Sequence, residues 1–261
     1  MRLFKKSLLS VTIASALAAP FSASQAANYG SFSANVVLTS DYYFRGISQT
    51  DNDPAIQGGF DYAHDSGFYI GIWASNVAFG DTNLEADTYL GFANATNFGM
   101  TYDIGVIKYN YNNTDSSDDP VEFYGSLGYS FFTAGYAYSN DWFGSGDSSN
   151  YGYLSFDYTM PYEVGLAASV GYSWGSAYKS DDVNYEYLDY KLGVNKDFVG
   201  INWDLSYVDN NLNDTQCNNY GYADKNCDGR FIFTASKSID DTMKPTDGLP
   251  IAANVALTTD Y

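Results

Sequence analysis

The chain is poor in histidine, cysteine and basic residues. It has one histidine, two cysteines and 12 lysines and arginines against 31 aspartates and glutamates, a formal net charge of −19 at pH 7. So few cations argue against a nucleic-acid partner, whose phosphates are bound by Lys and Arg. They also argue against simple electrostatic adhesion to anionic lipid.

The residues needed for serine hydrolysis are not distributed as that chemistry requires. The single histidine, His64, is followed directly by Asp65 and Ser66. A catalytic triad draws its members from separate elements, so these three consecutive residues do not form one. No pair of carboxylates is singled out for acid-base work on a glycan. The sequence therefore predicts that the protein is not an enzyme.

Long apolar runs are absent after the first residues, which excludes membrane-spanning helices. Residues 8–19 are mainly apolar but shorter than the roughly 20 residues that a helical span needs. They follow Arg2, Lys5 and Lys6 and precede the small-residue sequence 24–26, a pattern typical of a secretory leader. We expect residues 1–27 to be removed on export, which leaves 9 basic against 31 acidic residues, a net charge of −22.

Aromatic residues and glycine are abundant. Aromatics make up 18% of the chain, with 26 Tyr, and there are 24 Gly. From residue 31 onward apolar and polar residues alternate, which indicates β-strands with one apolar face. The alternation predicts twelve strands, approximately 31–42, 55–63, 68–79, 84–95, 100–111, 121–131, 133–140, 151–158, 164–176, 185–196, 201–209 and 230–239.

Tight turns and longer polar loops alternate between these strands. Short periplasmic turns, long outside loops and an even strand count are typical of outer-membrane barrels. A soluble β-sandwich also has short alternating strands, but its exposed face is rich in Lys and Glu. Here the polar face is Gly, Ser, Asn and Asp. We therefore predict an antiparallel up-and-down transmembrane β-barrel in the outer membrane of a Gram-negative bacterium.

The first strand is repeated at the end of the sequence. Residues 33–42 (SANVVLTSDY) and 252–261 (AANVALTTDY) share most positions. We predict three segments: the leader 1–27, the barrel 28–239 and an extension 240–261 that repeats the first strand. The repeat is interpreted as a relic held loosely in the periplasm, and the alternative is a strand that competes with residues 230–239 for barrel closure.

Two stretches resemble a known family. The sequence 41–50 (DYYFRGISQT) and the closing stretch 229–239 (GRFIFTASKSI) resemble the TorF family of proteobacterial outer-membrane porins. The resemblance implies a barrel and a channel, and no catalytic residues. The chain departs from the family at Ile239, where an aromatic residue is usual, and in its 22-residue extension.

The face opposite the apolar one defines the expected channel lining. It is predicted to consist of Asp41, Asp61, Glu85, Asp87, Asp103, Glu122, Asp157, Asp189, Lys191 and Asp204. An acidic lining favours cations or neutral hydrophilic solutes. Alternatively, these carboxylates are hydrogen-bonded struts in a narrow barrel. Arg45, in the first outside loop, is either a constriction residue that pairs with lumen acids or a solvated loop charge.

The last outside loop carries two further candidate sites. Cys217 and Cys227 are the only cysteines, and in an oxidising envelope they predict one disulfide. Asp224, Asn226 and Asp228 match the first half of a calcium loop, but Ala235 stands where that loop has Glu. A turn without calcium is the favoured interpretation.

These observations predict a porin-like channel for passive diffusion of small hydrophilic solutes, cation-preferring or unselective, with no cofactor. The alternative is a closed structural or adhesin-type barrel that binds partners through its acidic loops. The expected partners are outer-membrane lipid, the outer-membrane insertion machinery and the solutes themselves.

Overall fold

The computed structural model describes residues 30–115, 118–180 and 183–240. Their long strands form a closed antiparallel barrel of twelve strands, as the sequence predicts. In chain order the barrel strands are β1 Ser31–Thr39, β2 Ala55–Ala63, β3 Phe68–Phe79, β4 Thr82–Ala95, β5 Met100–Lys108, β6 Val121–Tyr129, β7 Phe132–Ser139, β8 Ser149–Met160, β9 Val164–Trp174, β10 Tyr187–Phe198, β11 Ile201–Asn210 and β12 Arg230–Asp240.

The first and last strands close the barrel. Ser33 of β1 is opposite Asp240 of β12, and Ser31 of β1 is opposite Ala63 of β2. Both edges of β1 are therefore occupied, and the predicted closing strand is confirmed. The expected leader 1–27 and the repeat at 252–261 lie outside the described residues.

The two faces of the wall differ in polarity because side chains alternate along each strand. Phe60 of β2 and Phe231 of β12 point outward and are each 70% exposed. Asp103 of β5 and Glu122 of β6 point inward and are buried. An apolar outer band around a polar interior is the inverse of a water-soluble domain and suits hydrocarbon.

The two ends of the barrel also differ. At one end the connections are tight, at residues 64–67, 96–99, 130–131, 161–163 and 199–200. At the other end, which we call the mouth, longer loops cover residues 40–54, 109–120, 140–148, 175–186 and 211–229. The connection between β3 and β4 also lies at the mouth, but it is only a two-residue turn, because β4 already begins at Thr82.

Short elements lie within these connections. Two small hairpins pair Tyr43–Phe44 with Ile47–Ser48, and Lys179–Ser180 with Val183–Asn184. The helix α1 spans Asp214–Asn219, and 3-10 turns occupy Trp142–Gly144, Pro161–Glu163, Ser176–Tyr178 and Asp224–Asn226. Within the described ranges, no helix has the length and apolarity that crossing a membrane requires.

Candidate functional site: the barrel mouth and its inward-folded hairpin

The first loop folds into the barrel. We define the mouth hairpin as residues 41–50, and all of them except the half-buried Phe44 are buried. The sequence predicts a first strand that extends to residue 42, and this end of the strand prediction is wrong. Strand β1 ends at Thr39, so Tyr42 lies in the loop and is 3% exposed against the ring of Trp73, with ring centroids 5.3 Å apart.

A two-residue turn forms the tip of the mouth hairpin. Tyr43 pairs with Ser48 and Phe44 with Ile47, which leaves Arg45 and Gly46 as the turn residues. Their φ angles are 49° and 80°, as a type I′ turn requires. A Cβ on Gly46 would lie 2.9 Å from Cβ of Asp189, so the turn also needs glycine for its close approach to β10.

Asp41 closes the base of the mouth hairpin. Its Oδ1 accepts hydrogen bonds of 2.7 Å from the hydroxyls of both Ser48 and Thr50. Its Oδ2 lies 3.4 Å from Nη1 of Arg230 on β12. The carboxylate predicted to line the lumen thus belongs to the loop and ties it to the barrel wall.

Arg45 reaches across the lumen from the tip. Its Nη2 donates to both carboxylate oxygens of Glu122 on β6, each at 2.9 Å, and the two side chains are each 1% exposed. The guanidinium carbon also lies 4.2 Å from the ring centroid of Tyr151 and 4.7 Å from that of Phe44. The solvated-charge interpretation of Arg45 is therefore wrong, because the guanidinium is buried among an acid and aromatic rings.

The environment of Arg45 keeps it charged. Burial alone lowers the pKa of the guanidinium, but Glu122 and the tyrosines around it outweigh burial and raise the pKa above its usual value. Tyr109 supports the same carboxylate, since its hydroxyl donates to Glu122 Oε2 at 2.7 Å. Within the described residues, Nε and Nη1 of Arg45 have no hydrogen-bond partner. The Arg45–Glu122 pair is thus held tightly but incompletely satisfied.

The last loop packs on the mouth hairpin. Cys217 and Cys227 form the predicted disulfide, with Cα atoms 6.1 Å apart. Both cysteines and Ile47 of the hairpin belong to one buried apolar cluster. Asn210, the last residue of β11, donates to the Gly46 carbonyl oxygen at 2.6 Å and to that of Cys227 at 3.0 Å. The disulfide therefore stabilises a loop that holds the hairpin in place.

Tyrosine hydroxyls bind most of the inward acids, and the sequence analysis did not identify these tyrosines. The pairs are Tyr42 with Glu85, Tyr69 with Asp103, Tyr89 with Asp61, Tyr109 with Glu122 and Tyr151 with Asp189. The unusual tyrosine content was the available signal. Hydrogen-bonded carboxylates of this kind are what the strut interpretation expects. The contacts also place aromatic rings in the lumen beside the carboxylates.

The remaining predicted lining residues also point inward. Asp61, Asp157 and Lys191 are half-buried, whereas Asp87 and Asp204 are buried. Asp204 accepts a 2.7 Å hydrogen bond from Ser206, two residues along the same strand face. The structure brings Arg45, Asp41 and Glu122 together at the mouth, and it distributes the other acids around the wall.

The calcium candidate lies in a 3-10 turn. Asn226 Oδ1 accepts from Asn52 of the first loop at 3.3 Å, and Asp224 Oδ1 accepts from Asn218. Asp228 contributes its backbone carbonyl oxygen to the hydroxyl of Tyr43 at 2.9 Å. Across the described ranges, no group of three or more His, Cys, Asp or Glu side chains is arranged to hold a metal ion.

A Gly-x-Ser-x-Gly sequence is present at residues 171–175. In α/β-hydrolases this motif places the nucleophile on a strand-to-helix turn. Here Ser173 lies within β9 and is 0% exposed. His64 lies at the opposite, tight-turn end. The motif therefore carries none of the geometry of a nucleophile elbow.

Burial of Asp41 predicts how the mouth hairpin responds to pH. Burial raises the pKa of Asp41 above its ordinary value of 3.8, although hydrogen bonds from Thr50 and Ser48 and the charge of Arg230 lower it. An acid whose pKa is raised in the folded-in hairpin stabilises that position most at a pH below its ordinary pKa. This stabilisation is lost as pH rises through the raised pKa. We expect the hairpin to be held more firmly in acid and to loosen as pH rises.

Asp41→Asn isolates this contribution, because asparagine is neutral at every pH and still accepts from both hydroxyls. Hydrogen exchange of the hairpin amides, measured from acid to neutral pH and corrected for the intrinsic pH dependence of exchange, is expected to accelerate less in the variant. An identical pH profile in both proteins would show that other carboxylates govern the response.

Comparison with known proteins gives a family and a fold. Residues 23–239 match the model of a family described as a bacterial protein of unknown function (Gcw_chp). No curated protein sequence matches the chain. Among solved structures, the KdgM porin is 7% identical with a TM-score of 0.50, covering 79% of this chain and 99% of that chain. The NanC porin is 11% identical with a TM-score of 0.49, covering 78% and 97%. At 7% identity the match to the KdgM porin shows a shared barrel fold alone.

Proposed function

This chain belongs to the Gcw_chp family, and we propose that it is an outer-membrane channel for passive diffusion of small hydrophilic solutes, with its constriction at the mouth hairpin. The observation that carries the proposal is the polar interior of a closed twelve-strand barrel, entered past a loop that folds inward. Inward loops set the width and charge of a channel at its narrowest point.

The TorF resemblance of residues 41–50 supports this proposal, because that stretch is the mouth hairpin. In the proposal residues 1–27 direct export. The predicted extension takes no part in the channel beyond Asp240, the residue that ends β12. Lipid surrounds the apolar outer band, and the insertion machinery of the outer membrane assembles the barrel. The long loops face outward from the cell, and neither calcium nor another cofactor is required.

The half-buried acids predict a preference for cations. Asp61 and Asp157 are inward and partly accessible, whereas Glu122 is neutralised by Arg45. We expect a salt gradient across a planar bilayer to give a reversal potential of the sign for cation selectivity. The double variant Asp61→Asn/Asp157→Asn is expected to move that potential towards zero. Anion selectivity of the unmodified protein would contradict the prediction.

A closed structural barrel is the second candidate, and the burial of the mouth hairpin favours it. Liposome swelling separates the two functions, since only a channel admits sugars. We expect swelling with small sugars that declines as the sugars become larger. Liposomes that contain folded, heat-modifiable barrel but behave like empty ones would establish the closed barrel instead.

A further inference from the structure

The outer face of the barrel has an apolar groove that crosses five strands. Two ridges of outward side chains border it, and the strand register sets both. The first ridge includes Phe32 of β1, Ile70 of β3 and Val106 of β5. Tyr62 of β2 and Leu90 of β4 link them as cross-strand neighbours. Between the ridges runs the row containing Gly71 and Tyr89, which are opposite each other in the register. The groove has a volume of about 510 Å³.

The second ridge ends in a lysine. It runs from Phe60 of β2 through Ile72 of β3 and Thr88 of β4 to Lys108, the last residue of β5. Lys108 therefore lies on the outward face at the mouth end of the groove. Among the described residues of the twelve barrel strands, it is the basic side chain that points outward at this end, since Lys196 and Lys237 lie near the tight turns.

Asp119 orients the ammonium of Lys108 but does not occupy all of its hydrogen-bond donors. Its Nζ lies 3.7 Å from Oδ2 of Asp119, and its side chain is 38% exposed. Asp119 is 5% exposed, and its other oxygen accepts from the backbone N–H of Tyr111 and the hydroxyl of Thr114 at 3.3 and 3.2 Å. An ammonium has three donors, so Lys108 retains donors for an anion at the membrane surface.

We propose that this groove binds one acyl chain of a phosphorylated lipid in the leaflet at the mouth, with the lipid phosphate on Lys108. Four strand spacings give the groove a length of about 19 Å. Half of a hydrocarbon core about 30 Å thick is of the same order, so the groove suits one chain from one leaflet. A cation beside an apolar groove on an otherwise acidic protein matches an anionic headgroup joined to an apolar chain. The inference rests on the outer-membrane placement proposed above, but not on channel activity.

Native mass spectrometry of the full chain in detergent tests the proposal. The probe is a bisphosphorylated, acylated glucosamine disaccharide, with its fully dephosphorylated form as the second ligand. We expect the phosphorylated probe to bind more tightly, and Lys108→Gln to weaken it about fivefold, the usual effect of one lysine at a membrane surface. Lys196→Gln, which removes an exposed outward lysine at the tight-turn end, is the matched control and is expected to change nothing.

A second variant tests the groove itself. Thr88 points outward and is exposed, so Thr88→Phe fills the groove without a change in the barrel interior. It is expected to weaken both probes, whereas Lys108→Gln weakens only the phosphorylated one. Equal binding of the two probes, or equal binding by Lys108→Gln, would overturn the phosphate assignment. A dimer that Thr88→Phe abolishes would show that a second copy occupies the groove. Heat-modifiable migration confirms folding of each variant, and channel measurements on them report separately on the proposed function.

Discussion

Replacing Arg45 by alanine is expected to open the mouth of the barrel. The change leaves Glu122 buried without its cation, and breaking a buried ion pair from one side costs about 3–5 kcal/mol. It also removes the guanidinium from the rings of Tyr151 and Phe44. This free-energy cost destabilises the folded-in position of the hairpin relative to an open position. The ratio of open to folded-in hairpin is therefore expected to rise on the order of a hundredfold or more. Single-channel recordings are expected to show a higher mean conductance.

Two further variants make this result specific. Glu122→Gln leaves the guanidinium as the unpaired partner, and we expect it to raise conductance as well, with the double variant less than additive. Lys179→Ala removes an ion pair with Glu186 in another mouth loop, where the lysine side chain is 55% exposed. Exposed pairs contribute little, so this control is expected to match the unmodified protein. Unchanged conductance in Arg45→Ala would show that the constriction lies elsewhere.

The barrel itself was predictable from the sequence because one physical rule governs most of it. Every strand faces two different environments, so apolar and polar residues alternate along it. That alternation identified all twelve strands to within a few residues, and the predicted closing strand pairs with β1. The strand ends were less accurate. The predicted first strand ran to Tyr42, but β1 ends at Thr39, where the chain turns inward.

The inward fold of the first loop was not predictable from periodicity. Its cause is tertiary: Asp41 is held by Arg230 of β12, and Gly46 is held by Asn210 of β11. Both contacts join residues that are far apart in sequence. A local signal for the hairpin did exist. Tyr43-Phe44 and Ile47-Ser48 flank Arg45-Gly46, and a glycine in a two-residue loop is typical of a hairpin turn.

The sequence predicted which acids face the lumen, but not the side chains that bind them. The alternation placed the acids on the inward face, but it did not identify their partners. Tyr69 and Asp103, for example, lie on different strands and meet only because the barrel closes. Whether an acid faces solute or a tyrosine hydroxyl depends on such contacts, and residue type alone does not decide it.

Removing the disulfide is expected to release the loop at residues 211–229 without unfolding the barrel. Cys217 and Cys227 are ten positions apart. In the chain-entropy model, a crosslink over such a loop stabilises its folded conformation by about 3 kcal/mol. Cleavage of the opened loop by a protease is then expected to be about a hundredfold faster in Cys217→Ser/Cys227→Ser. Because Ile47 packs in the same cluster as both cysteines, the mouth hairpin loses support, and conductance is expected to rise as well.

The reduced, unsubstituted protein is the control that separates the crosslink from the packing. Reduction removes the S–S bond but keeps both sulfur atoms in the cluster, whereas the serines place hydroxyls among apolar side chains. Equal protease sensitivity in the two proteins would assign the effect to the crosslink. Protection that persists in both would mean that contacts such as Asn52 with Asn226 and Lys225 with Asp51 are sufficient to hold the loop. Loss of heat-modifiable migration would contradict the expected independence of the barrel, because the loop lies outside the twelve strands that close it.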